Sequence, residues 1–89
     1  MARDVADPGS SMSSSSVGAR AADGVFEGLR EDIVAGRLTV GERLPSEAAL
    51  AEHYGVSRPS VREAIRSLQA LGLTRTRTGS GTYVASDRP

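Results

Sequence analysis

Apolar residues recur at three- and four-residue spacing from about Ala21 to Ala35, where Ala22, Val25 or Phe26, Leu29 and Ile33 stand among acids and arginines. That period places them on one side of a helix. Gly36 supplies the stop, because glycine tolerates the left-handed conformation at a helix end. Arg37 to Pro45 reads as a turn-rich connection bent at Gly41, with Leu44 extended because it precedes a proline. Ser46 is a good N-cap for a second, short helix with Leu50, Ala51 and Tyr54 on its apolar side and Gly55 at its end. Ser57 caps a third helix, and Pro59 is tolerated in its first turn, where the missing N–H has no intrahelical partner. Val61, Ala64, Ile65, Leu68 and Leu71 form its apolar stripe, and Gly72 terminates it. From Leu73 to Thr78 threonine and arginine alternate, which suits an exposed strand. Thr78-Gly79-Ser80-Gly81 is turn chemistry, and Thr82, Tyr83 and Val84 are good strand formers. The expected fold is mainly α with a small β-hairpin, and Ser46 to Leu71 follows the helix-turn-helix plan.

The chain has 89 residues, room for one domain. Its first twenty residues include Pro8, Gly9 and the serines Ser10, Ser11 and Ser13 to Ser16 and hold few bulky apolar side chains. Such a segment cannot bury enough surface to offset its chain entropy, so residues 1–20 are expected to be a disordered tail and residues 21–86 the folded domain. Residues 87–89 read as the end of a linker. Cysteine is absent and His53 is the single histidine, which excludes a disulfide framework, a thiolate metal site and a multi-histidine site. No cofactor or metal is expected. No apolar run approaches the roughly 18 residues of a membrane span, and the N-terminus lacks the apolar core of a secretory signal. The expected location is the cytoplasm.

The formal net charge is zero, which at first argues against a polyanionic partner. Its distribution argues the other way. Between Asp23 and Val56 seven acids face three arginines, whereas from Ser57 to Pro89 six arginines face only Glu63 and Asp87. A fold can gather the second set into one basic face, and the face rather than the total matters to a polyanion. All 11 cations are arginine, whose planar fork suits bidentate contacts with phosphate or guanine, although genomic base composition is the simpler cause of the missing lysines.

Arg58, Arg62 and Arg66 lie at i, i+4 and i+8 and form one ridge on the third helix. Ser57 and Ser60 stand at its start, where free N–H groups and the helix dipole favour phosphate. Arginines alone suit an ordinary solvated helix face. The short helix before them, the Gly55 turn and the hairpin after them point instead to a recognition helix in the major groove. Arg75 and Arg77 share one face of the first strand, and a slender basic hairpin can reach a phosphate strand or the minor groove. Its glycine-rich tip alone is as consistent with a plain turn. Glu63 is expected to hold Arg66 or an arginine of the first helix, and His53 to be a partly exposed surface residue. Glu31 with Asp32 reads as a solvated face. No nucleophile and base arrangement and no phosphate-binding loop is visible, so no enzymatic activity is expected. The competing reading is a protein-interaction module, since fold alone does not fix function.

Leu44-Pro45-Ser46-Glu47, Leu50-Ala51, Gly55-Val56-Ser57-Arg58, Val61-Arg62-Glu63-Ala64-Ile65-Arg66, Leu68, Gly72-Leu73 and Gly79-Ser80-Gly81-Thr82-Tyr83-Val84 resemble the N-terminal domain of the GntR family of bacterial regulators, most closely its FadR-type branch. The resemblance spans about residues 23 to 85. It implies a winged helix-turn-helix, three helices and a two-stranded wing, that binds short palindromic operators in double-stranded DNA as a homodimer. It also implies DNA contacts at Ser57, Arg58, Ser60 and Arg62 and a wing tip at Gly79 near the minor groove. With Ser46, Arg66, Arg77 and Ser80 these complete the candidate DNA-binding set. Ala48 departs from the pattern, because many members carry an arginine there that reaches a base. Family members usually continue into a metabolite-binding, dimerising C-terminal domain. This chain is expected to be an excised domain without it, and monomeric when free.

Overall fold

The computed structural model describes residues 13–88, with side chains from Arg20. Three helices, α1 (Ser13–Val34), α2 (Glu47–Tyr54) and α3 (Arg58–Ala70), precede two strands, β1 (Thr74–Arg77) and β2 (Gly81–Val84). This is the expected order. The expected tail over residues 1–20 falls outside the described residues for 1–12, and from Ser13 onward the backbone is helical, so α1 starts well before Ala21.

The helix ends follow local chemistry. Ser46 Oγ accepts the Ala49 N–H at 3.1 Å at the start of α2. Ser57 Oγ accepts the Ser60 N–H at 3.3 Å at the start of α3, whose first turn contains Pro59. Gly55 closes α2 with φ 68°, a left-handed conformation that any residue with a Cβ adopts at a cost, and its N–H reaches the carbonyls of Ala51 and Glu52. These two caps and one glycine set the tight turn between α2 and α3.

Val25, Leu29 and Ile33 of α1 and Val61, Ala64, Ile65 and Leu68 of α3 build the centre of the core, joined by Leu44, Leu50, Leu73 and Val84. The apolar stripe of α3 is therefore buried as expected, with one exception. Leu71 is 45% exposed, because the helix ends before the stripe can turn it inward. Phe26, the alternative to Val25 on α1, packs only at the rim.

The hairpin pairs Thr74 with Val84, Arg75 with Tyr83, Thr76 with Thr82 and Arg77 with Gly81. Its first strand is not the fully exposed repeat that the alternation suggests. Thr74 is buried beside the core because its partner Val84 belongs to the core. The connection before α2 also does more than turn. The Gly41 N–H donates to Val84 O, the Val84 N–H to Glu42 O and the Leu44 N–H to Thr82 O, each at 2.8 Å. Arg43 thereby bridges Tyr83, and residues 41–44 line the second edge of β2. A segment this short, with Leu44 its one buried side chain, carries no alternation from which a strand could be read.

The wing is also tied to α3. Gln69 Nε2 donates to Thr76 Oγ1, and Thr76 Oγ1 shares a second hydrogen bond with Thr82 Oγ1 at 3.1 Å. This chain of side chains fixes the angle between wing and helix. The Thr74 hydroxyl, by contrast, is buried and has no hydrogen-bond partner among the described residues. An unsatisfied buried hydroxyl costs about 1–3 kcal/mol. Thr74→Val keeps the shape and the strand preference, so it should raise the urea midpoint, by the equivalent of about 1 kcal/mol. An unchanged or lowered midpoint in equilibrium denaturation would show that the hydroxyl is satisfied in solution.

Candidate nucleic-acid interface

The capped start of α3 and the wing stand side by side, and an open cleft of about 430 Å³ runs between them. Arg43, Ser46, Glu47, Arg58, Arg77 and Ser80 are among its lining residues. The fold therefore gathers Ser46, Arg58, Arg77, Gly79 and Ser80 from the candidate set around one concavity. Arg62 and Arg66 continue the same side of α3 and line a second, smaller depression that reaches Gln69, Thr76 and Thr82.

Arg58, Arg62 and Arg66 are all exposed, while Val61, Ala64, Ile65 and Leu68 on the same helix are buried. The ridge is thus on the solvent side, but its members are not equivalent. Arg62 meets Glu47 of α2 in a forked pair, Nε to Oε2 at 3.2 Å and Nη2 to Oε1 at 3.0 Å. The hydrogen bonds from Arg62 hold the Glu47 carboxyl below its ordinary value, and the charges of Arg62 and Arg58 act in the same direction against desolvation. Arg66 lies 3.4 Å from Glu63, the partner expected for it. Arg58, at the first position of α3, has no carboxylate of a described residue within 4.0 Å.

The two serines at the helix start separate in the same way. Ser57 is exposed, whereas Ser60 is only 9% exposed. The Ser60 hydroxyl lies 3.0 Å from Ser57 Oγ, inside the cap. Ser60 is the third residue of α3, between the exposed Pro59 and the fully buried Val61.

On the wing, partners in antiparallel register share a face. Arg75 and Arg77 therefore lie with Tyr83 and Gly81 on the side opposite Thr76 and Thr82. Arg77 sits over the Tyr83 ring, 5.3 Å from its centre, and the Ser80 hydroxyl meets the Tyr83 hydroxyl at 2.6 Å. Tyr83 thus braces both the cation and the tip. The tip glycine, Gly79, has φ 77° and no heavy atom within 4 Å of where a Cβ would stand.

Sequence reasoning missed two members of this surface. Glu47 is bound to Arg62 across fifteen residues, a separation no helical period reveals. Arg43 enters the cleft only because residues 41–44 join the sheet. Within the described residues no group of three or more histidine, cysteine or acidic side chains is placed to hold a metal ion, and no helix is long and apolar enough to cross a membrane.

Known proteins are similar to this chain in sequence and in fold. Mce2R of Mycobacterium tuberculosis, an HTH-type transcriptional regulator, is 50% identical over 64 residues, which are 72% of this chain and 27% of that protein. The mannosyl-D-glycerate transport/metabolism system repressor MngR of Escherichia coli is 42% identical over 64 residues, with the same coverage of 72% and 27%. The chain thus spans about a quarter of the length of these curated relatives. The crystal structure of AraR(DBD) in complex with operator ORR3 superposes with a TM-score of 0.71 at 34% identity, covering 73% of this chain and 78% of that one. A GntR-family transcriptional regulator structure superposes with a TM-score of 0.69 at 46% identity, covering 78% of this chain and 27% of that one. Residues 21–84 match the family described as bacterial regulatory proteins, gntR family. With its three helices, its two-stranded wing and that match over most of its length, the chain belongs to the GntR family of bacterial regulators, as a winged helix-turn-helix domain.

Proposed function

We propose that this chain is the part of a bacterial transcription regulator that reads double-stranded DNA, with α3 in the major groove and the wing tip at residues 78–81 near the adjacent minor groove. One observation carries the reading. Arg43, Arg58 and Arg77 have no carboxylate of a described residue within 4.0 Å, and all three line the one cleft between α3 and the wing. Gathered cations without counter-charges repel one another, and a polyanion relieves that repulsion. The structure of AraR with its operator supports the same use of this fold.

Within this reading Arg58 reads a base edge, since its fork is free and it stands at the helix end that enters the groove first. Arg66, Ser57, Ser46 and the wing residues Arg77, Gly79 and Ser80 position the domain on phosphates. Arg62 acts under the control of Glu47. The carboxylate occupies its Nε edge, leaves the other edge for a base, and repels phosphate. The domain works in the cytoplasm, binds a palindromic operator as a homodimer with one copy per half-site, and is monomeric when free. A protein-interaction role would need an apolar or mixed outer side on α3, and that side carries Arg58, Arg62, Glu63 and Arg66.

Selection of bound sequences from random duplex DNA tests the core of the proposal, and recovery of no preferred sequence would end it. On the selected duplex, Arg58→Ala should lower discrimination against random DNA by about 1–3 kcal/mol. Arg66→Ala should weaken both duplexes alike and reduce the salt slope by roughly one unit. An unchanged specificity ratio for Arg58→Ala in competition binding would remove its base-reading role.

Glu47→Gln releases Arg62 to any phosphate. Random-duplex affinity should rise, its salt slope should steepen by about 0.9, and the specificity ratio should fall. Because the hydrogen bonds from Arg62 lower the Glu47 pKa, the carboxylate stays charged through its ordinary titration range and protonates only as pH falls through the lowered folded value. The wild type should therefore keep its specificity near neutral pH and lose it only in acid. Loss of specificity already between neutrality and mild acid would assign the effect to another group.

A further inference from the structure

We infer that Arg43, which precedes the helix-turn-helix, is a dedicated contact to the DNA backbone, seated in advance by Gly81 of the wing. This rests on the DNA-binding reading and adds a residue that neither the helix ridge nor the wing tip supplies.

The seat is built from backbone and glycine. Arg43 bridges Tyr83, with Leu44 buried on one side of it and the Leu44 N–H bonded to Thr82 O at 2.8 Å. Its position in the chain is therefore fixed to the wing although it belongs to the connection before α2. Its side chain lies across Gly81. A Cβ at Gly81 would stand 2.7 Å from Arg43 Nε, closer than real atoms approach, and 3.3 Å from Cζ, so the guanidinium would have to shift. Gly81 also has φ 126°, a backbone that side chains rarely adopt. The missing side chain leaves the room in which the guanidinium rests, and Arg77 is the register partner of the same glycine.

No carboxylate of a described residue holds Arg43 there, since none lies within 4.0 Å. Arg43, Arg58 and Arg77 instead line one cleft, and the acid among its lining residues, Glu47, is already engaged by Arg62. The location of the cleft names the ligand. One wall is the start of α3 and the other is the wing. Two adjacent grooves of a duplex are separated by one sugar–phosphate strand. When α3 enters the major groove and the wing approaches the neighbouring minor groove, that strand lies along the cleft. Arg43 faces a phosphate there, not a base edge. Such contacts set register and affinity without carrying sequence information.

The experiment compares wild type, Arg43→Gln and Arg43→Lys on two probes, the duplex recovered by selection and a random duplex of equal length, each titrated with salt. Arg43→Gln should lose affinity for both by the same factor, with a salt slope reduced by about 0.9. Arg43→Lys, which keeps the charge, should restore the slope. Single methylphosphonate substitutions along the selected duplex then neutralise one phosphate at a time. One position per half-site should weaken wild type but leave Arg43→Gln unaffected. An unchanged slope, a fall in the specificity ratio, or additive losses at every phosphate would each overturn the assignment. Circular dichroism of the variants separates loss of folding from loss of contact, and the methylphosphonate scan on wild type stands even where Arg43→Gln is unstable, since absence of any sensitive phosphate beside the wing defeats the proposal. Failure of the wild type to bind either duplex would instead defeat the DNA-binding reading itself.

Discussion

Burial of one side of α3 against α1 is the constraint on which the remaining structure depends. Val61 and Leu68 are fully buried, Ala64 nearly so, and they meet Val25, Leu29 and Ile33 across the core. A helix that short, isolated in water, would not hold its shape. Packed on one side, it becomes a rigid rod whose other side is free for arginines. The same packing fixes which way Arg58, Arg62 and Arg66 face, because residues on a helix cannot turn independently of their neighbours.

The arginines then divide by partner. On α1 and at its end, Arg30 pairs with Glu27 and Arg37 with Asp32, exposed contacts worth little in stability. On α3, Arg62 is held by Glu47 and Arg66 by Glu63. Toward the wing the guanidinium groups stand without acids. A zero net charge thus conceals an acidic excess over residues 23–56 and a set of uncompensated arginines toward the wing. Glu47 is the point at which the two regimes meet, since it lines the cleft and is paired with Arg62.

The wing is more firmly built than two four-residue strands would allow, since a lone hairpin of that size is marginal in water. Three attachments support it. Residues 41–44 close its open edge, Leu73 and Val84 anchor its base in the core, and Gln69, Thr76 and Thr82 link it to α3. Tyr83 stiffens its outer face through Arg77 and Ser80. The width of the cleft is therefore set by the protein and not left to the ligand.

Local chemistry along the chain determined much of this. Serine caps at Ser46 and Ser57, glycine stops and three-and-four spacing locate the helices, because each acts within a turn or two of itself. The solvent side of α3 was legible for the same reason, since burial of Val61 and Leu68 forces Arg62 and Arg66 outward. The start of α1 was not, as the serine-rich run before Ala21 has neither apolar spacing nor a clear cap. Contacts between distant segments decided everything else: the capture of Arg62 by Glu47, the entry of residues 41–44 into the sheet and the seating of Arg43 over Gly81. Periodicity reports which side of its own element a residue occupies. It is silent on which other element that side meets, and that meeting is settled only when the core closes.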